Sequence, residues 1–242
     1  MIFRTLNKKI PRITLEIDGD PIECVSTFDF LGITIDSHLN WKPHVEKISK
    51  KISKTLAILN RLKHYIPIDT LQILYNSLIS PHLLYGILLW GHKLGNIAKA
   101  QKKAIRLISQ SRYNAHTDPL FKSLNVLKVS DLLKVQEWKF YHKYVHKKLP
   151  LYFLEGHVLR HCDIHQYPTR YNNNLAIPKL KYQLSYSSVK YRLPRLINQA
   201  PASILDKIHS HSLNGLAFYL KRVFIGAYNS SCEIINCYIC QR

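Results

Sequence analysis

Lys47, Lys50, Lys51 and Lys54 fall at i, i+3, i+4 and i+7, and Arg61 lies two turns further along the same face. Lys99, Lys102, Lys103 and Arg106 repeat that spacing. Wound on a helix, each set makes one cationic stripe. Like charges three and four residues apart destabilise an isolated helix by about 0.2–0.5 kcal/mol per pair, and a phosphate backbone reverses the sign of that term as its condensed counter-ions are released. The chemistry these residues suit is therefore the neutralisation of phosphate. Either stripe alone would be better explained as a solvated face with no partner. Two stripes in one chain favour nucleic acid, and so does the total charge, with 35 Lys+Arg against 15 Asp+Glu for a formal net of +20. Such an excess makes a compact chain repel itself unless a polyanion is close.

Groups that would make or break bonds are harder to find, and no catalytic residue is assigned. Nucleotidyl transfer by two metal ions needs at least two carboxylates converging on cations about 4 Å apart. The aspartates here are dispersed, and Asp18 and Asp20 flank Gly19, where turn formation is a sufficient reason for them. No G-x-x-x-x-G-K-S/T loop, G-x-S-x-G elbow or G-x-G-x-x-G after a strand occurs. Cys232, Cys237 and Cys240 lie near the carboxy end, the last two as C-x-x-C. A structural zinc site wants four ligands, so His209, His211 or Cys162 would have to complete one, and a reduced tail is the simpler expectation. No cofactor or metal is expected. Tyrosines among cations could stack on unpaired bases, whereas Trp90 and Trp138 stand in apolar surroundings and are expected in the core.

The longest apolar run, Leu83 to Trp90, is far short of the roughly 20 residues a membrane-spanning helix needs. The amino end breaks into lysines by Lys8, too early for a signal peptide. With 5 cysteines at irregular spacing there is no disulfide framework, so an intracellular chain with reduced thiols is expected.

The elements that must position the stripes follow from periodicity. Ile13, Leu15 and Ile17 alternate with polar residues, Asp18–Gly19–Asp20 supplies a turn, and "FDFLGITI" follows, so the chain opens with a small antiparallel hairpin or sheet. Pro43 suits a first helical turn, and Val45, Ile48, Ile52, Leu56, Leu59, Leu62 and Ile66 recur at three and four as the apolar face of a helix that Pro67 ends. Asp69 and Gln72 have the spacing of a capping pair for the next helix, which Pro81 should kink or break. Further helices are predicted over 96–109, 118–124 and 130–147, the last capped by Ser130 or Asp131. After a long irregular connection, two more are predicted over 187–199 and 210–227. The fold class is mainly α: a helical bundle preceded by a small antiparallel β-hairpin.

"FDFLGITID", "LNWKPH", "LYNSLISPHLLYGILLWG", "IAKAQKKAIRLI" and "YNAHTDPLFKSLNVLKVSDLLKVQEWKFYHKY" together resemble the reverse transcriptases of jockey-type non-LTR retrotransposons, just downstream of the catalytic palm. The likeness continues through "LPLYF" and more loosely through "YPTRYNNNLAIPK" and "YRLPRLINQAP", and stops before the cysteine tail. The resemblance implies that Phe30, Leu31 and Gly32 lie on the hairpin at the palm–thumb junction that positions a primer end. It implies that Pro43 to about Tyr65 is the first thumb helix. The family's catalytic signature, an aromatic residue followed by Ala-Asp-Asp, has no counterpart in these residues, so magnesium is expected only in the palm and the chain alone is expected to be inactive.

The expected organisation is a primer-grip remnant over 1–36, a thumb-like helical domain over 37–150, an irregular linker over 151–187, a helical region over 188–228 and the cysteine tail over 229–242. Expected partners are RNA, DNA or their hybrid, together with the remainder of the polymerase, with no membrane and a nuclear location. The alternative is a helical module retained by a host for nucleic-acid or protein interaction, without polymerase activity.

Overall fold

Ile48, Ile52, Leu56 and Leu59 recur at the period of an α-helix, and in the structure all four are buried along one side of α1 (Lys42–Leu62), with Pro43 in its first turn. The structure is a computed structural model and describes residues 1–4, 14–154, 158–164, 167, 170 and 172–228, without the side chains of 154, 183 and 184. The amino-terminal part forms two separate two-stranded antiparallel ribbons, β1 (Leu15–Ile17) with β2 (Asp20–Ile22), and β3 (Thr27–Phe30) with β4 (Ile33–Asp36). Ile13, the first residue of the expected alternation, lies outside the described residues.

Helices account for most of the rest: α2 (Ile68–Leu78), α3 (Ser80–Leu84), α4 (Ile87–Trp90), α5 (Gly95–Ile108), α6 (Thr117–Ser123) and α7 (Val129–Val145). Pro81 stands at the start of α3, and the break between α2 and α3 falls there because proline lacks the N–H that a continuing helix needs. α1 packs most closely on α5, and the core continues from that pair through Trp90, Phe121 and Trp138, all fully buried. Among the described residues no helix is long and apolar enough to cross a membrane.

Two capping expectations are corrected. Asp69 sits inside the first turn of α2 rather than at its cap, which is Pro67, and Gln72 reaches away to donate to the Leu124 carbonyl at 2.7 Å. Lys128 caps α7, and Asp131 turns inward, where it accepts from the Tyr228 hydroxyl at 2.7 Å and pairs with Lys134 at 3.6 Å. Both carboxylates stand near helix starts, and for Asp131 the longer-range partner Tyr228 decides its use.

Within the expected irregular connection the chain makes α8 (Leu151–Leu154), α9 (His161–Ile164), an isolated bridge between Arg160 and Leu175, and a 3₁₀ turn over Gln183–Ser187. α10 (Val189–Asn198) follows. The helix predicted over 210–227 is α12 (Leu213–Gly226), capped where the Ser212 hydroxyl accepts from the Gly215 N–H at 3.1 Å, and before it stands a helix the sequence reading did not place, α11 (Ala202–Ser210). α12 lies along α7, and the Tyr228 hydroxyl accepts from the Lys128 N–H at 2.9 Å as well as donating to Asp131.

His92, just beyond α4, is partly buried beside Arg192 and Lys93, and burial first, then those cations, push its pKa down to about 4. The unfolded chain takes up this proton near pH ~6.5 and the folded chain does so only well below that, so stability is lost as pH falls through that window. We expect a loss of about 1–2 kcal/mol, discounted because the ring keeps some solvent. Urea unfolding of wild type and His92→Gln near neutral pH and near pH ~4.5 should show a smaller acid loss in the variant. Asp131 and Glu137, whose pKa values burial raises, act in the opposite sense and cancel in that comparison.

Candidate nucleic-acid interface

The ribbon β3–β4 turns through Leu31 and Gly32, both with positive φ (47° and 79°). A two-residue turn of that hand matches the twist of its strands, and glycine accepts the conformation freely while leucine does not. Leu31 is nevertheless 75% exposed, and Phe28 and Phe30 beside it are 55% and 56% exposed. A strained, solvent-facing apolar tip does nothing for the core. What holds it is Tyr85, just after α3, whose hydroxyl donates to the Leu31 carbonyl at 2.5 Å.

The base of the ribbon is fixed to α1 by Asp36. Its buried carboxylate accepts from the backbone N–H groups of His38 (3.2 Å), Asn40 (3.2 Å) and Trp41 (2.9 Å). These bonds compensate for Leu39 and Trp41, non-glycine residues with φ of 50° and 63°. Asp36→Ala should remove about 2–3 kcal/mol of stability, because charge-assisted bonds to buried donors are lost together. A lowered urea midpoint is the check, and an unchanged one would mean the turn holds itself. Gly86 serves the same joint: its φ of 63° favours glycine, and a Cβ there would stand 2.7 Å from Ile33 Cδ1, so the β4 side chain would have to shift off the α3–α4 bend.

α1 therefore leaves the ribbon at a set angle, and its cationic face is oriented by its buried one. Lys50, Lys51, Lys54 and Arg61 are exposed opposite the apolar stripe, and among the described residues no carboxylate pairs with them. Lys47, expected in the same role, is already engaged: its ammonium pairs with Asp29 at 2.6 Å and donates to Thr34 Oγ1 at 3.3 Å, while the Thr34 hydroxyl also donates to Asp29. Lys47 thereby ties α1 to β3, and its hydrogen bond, first among the causes, lowers the Asp29 pKa. On α5, Lys99, Lys102 and Lys103 are exposed, whereas Arg106 is partly buried and its Nε–H donates to the Ala115 carbonyl at 2.8 Å.

Tip and stripe meet in one half-open cleft of about 350 Å³, whose walls include Leu31, Gly32, Lys47, Lys51, His82 and Tyr85. His44, on the same wall, accepts from the Thr34 N–H at 3.1 Å, and burial first and then Lys47 lower its pKa. His82 is lowered by burial and by Lys51, so both imidazoles favour the neutral form beside the lysines. The sequence pattern marked the lysines and the turn but not Asp29, His82 or Tyr85. No local signal marks a tyrosine whose partner lies 54 residues away.

Among the described residues no group of three or more His, Cys, Asp or Glu is placed to hold a metal ion. Cys232, Cys237 and Cys240 lie outside the described residues, and Cys24 and Cys162 are free thiols.

The resemblance drawn from the sequence motifs holds at the level of class: the chain is similar to RNA-directed DNA polymerases of transposons. It is 26% identical over 125 residues, 48% of this chain, to the probable RNA-directed DNA polymerase from transposon BS of Drosophila melanogaster. It is 25% identical over 127 residues, 50% of this chain, to the RNA-directed DNA polymerase from mobile element jockey of the same fly. The jockey polymerase of Drosophila funebris is 22% identical over 148 residues, 58% of this chain. The chain spans only 14–16% of the length of these curated relatives. No protein-family model matches it, and no solved structure matches it.

Proposed function

We propose that this chain is the thumb and downstream region of a non-LTR retrotransposon reverse transcriptase, and that it grips a primer–template duplex while polymerisation is carried out elsewhere. The observation that carries this proposal is the cleft in which the strained tip Leu31–Gly32 meets Lys47 and Lys51. A primer end resting against Phe30, Leu31 and Gly32 would have its backbone running onto α1, where Lys50, Lys51, Lys54 and Arg61 follow at helical spacing. Contacts of this kind position a duplex without reading its sequence. The α5 cations Lys99, Lys102 and Lys103 supply a second set of phosphate contacts, with Arg106 holding the end of its helix in shape. Lys47 acts through Asp29 and Thr34, fixing the ribbon against the helix.

RNA, DNA and the hybrid are all suitable ligands, the remaining polymerase body is the natural protein partner, and the work is placed in the nucleus. Magnesium belongs with the palm carboxylates of such a body. In a primer-extension assay with magnesium and all four deoxynucleotides, the purified chain should bind the RNA–DNA hybrid and add no nucleotide. Extension by the isolated chain would overturn the proposal. A chain that ignores nucleic acid yet binds a host protein after loss of both stripes would instead be a retained interaction module.

A further inference from the structure

A second cleft, of about 490 Å³, opens between α7 and α10 and shares no residue with either lysine stripe. That volume lies within the range of small-ligand sites. Ser130, Leu133, Lys134 and Glu137 form one wall at helical spacing, and Tyr191, Arg192 and Arg195 face them from α10. Tyr186, from the 3₁₀ turn, meets Tyr191 edge to face with ring centroids 4.7 Å apart, and the Arg195 guanidinium lies 5.5 Å from the Tyr191 ring centre. Tyr186 is 43% exposed, so its ring is not spent on the core.

The charges in this cleft do not balance. Arg192 pairs with Glu137 at 3.3 Å and donates from Nη2 to the Leu88 carbonyl at 2.8 Å, but its Nε and Nη1 have no acceptor among the described residues. Lys134 is already paired with Asp131. Among the described residues the Arg195 guanidinium makes no ion pair, and its hydrogen bond, to the Tyr191 hydroxyl, is long at 3.5 Å. With Lys134 held by Asp131, one carboxylate, Glu137, faces two guanidinium groups, Arg192 and Arg195, beside the two tyrosine rings. An acceptor-rich anion attached to a flat ring satisfies the guanidinium groups and the rings at once, whereas hydrocarbon would satisfy the rings and the leucines of the lining but leave the guanidinium groups without an acceptor. Guanidinium groups favour phosphate bidentately, and tyrosine rings stack on bases without regard to sequence.

We infer that the groove between α7 and α10 binds one nucleotide unit whose base is unpaired, with the ring against Tyr186 and Tyr191 and the phosphate on Arg192 and Arg195. A free nucleotide and a nucleotide within a single strand share this chemistry. The site is independent of the duplex-gripping proposal, because its residues lie outside that interface.

The test uses the full chain and a short single-stranded oligonucleotide carrying a fluorescent adenine analogue, whose emission is quenched on stacking. Tyr186→Ala should weaken single-strand binding about tenfold and abolish the quench, while Tyr186→Phe, which keeps the ring, retains both. Arg195→Gln, an exposed substitution that leaves the fold intact, should reduce the salt dependence by about one phosphate contact. Binding of a blunt duplex should be unchanged in all three variants. Adenosine monophosphate that competes for the quench shows that the free nucleotide suffices. If it fails to compete while the quench persists, the unit is taken from a strand, and either result supports the site. If Tyr186→Ala melts like wild type and still binds and quenches like wild type, the inference is overturned. It is also overturned if the quench depends on the α1 lysines rather than on these tyrosines.

Discussion

Replacing Lys50, Lys51 and Lys54 together with glutamine is expected to lower affinity for an RNA–DNA primer–template roughly a thousandfold at ~0.1 M salt and to make the salt slope shallower by about 3, since each lost phosphate contact removes close to one unit. The three side chains are exposed, face away from the α1 core stripe and have no carboxylate partner among the described residues. Glutamine is nearly as good a helix former as lysine. Relief of like-charge repulsion should even favour α1 by a few tenths of a kcal/mol per pair. Binding is therefore expected to fall while helix content and unfolding midpoint hold. Lys47 is left in place because it belongs to the joint with Asp29 and Thr34, and its loss would confound position with affinity. If the stripe were only a solvated face, the triple variant would bind as wild type does.

Trp90→Ala is expected to cost about 3–5 kcal/mol, the range for deleting a buried aromatic ring. The indole is fully buried, stands edge-on to His44 with centroids 5.9 Å apart, and donates from Nε1 to the Tyr85 carbonyl at 2.9 Å. Removing it opens a cavity beneath α4 and frees the backbone of the same tyrosine whose hydroxyl holds Leu31. The consequence is twofold: a melting temperature lower by roughly 10 °C for a chain of this size, and a ribbon tip no longer held over the cleft. Trp90→Phe keeps most of the volume and loses the hydrogen bond, so it should cost about 1–2 kcal/mol. Denaturant unfolding followed by circular dichroism separates the two. Equal small losses in both variants would show that the indole is not the packing centre of this joint.

Much of the architecture could be read along the chain because helices write their buried face as a period. α1, α5 and α7 were legible from Ile48–Ile52–Leu56–Leu59 and its equivalents, and the break at Pro81 from the missing N–H. The lysine stripes were legible for the same reason, since a helix that buries one face orients the other. Caps were less legible: Asp69 and Asp131 fit local rules, but Asp131 is used by Tyr228, 97 residues away. α11 was missed because Pro201 and Ala202 follow the end of α10 with a turn-like composition, and only packing against α12 shows that Ile204 and Ile208 are buried. The cleft was not legible at all. Its geometry rests on Tyr85 reaching Leu31 and on Lys47 reaching Asp29 across 18 residues, and a one-dimensional pattern records neither.

The most direct measurement is the affinity of the purified chain for a labelled RNA–DNA primer–template across a salt series. Five or six of the exposed cations of α1 and α5 acting on phosphate would give a slope of log affinity on log salt of about −5. A weak, flat response, or a steep one that the triple lysine variant leaves unaltered, would contradict a duplex lying along α1 with its primer end at Leu31–Gly32.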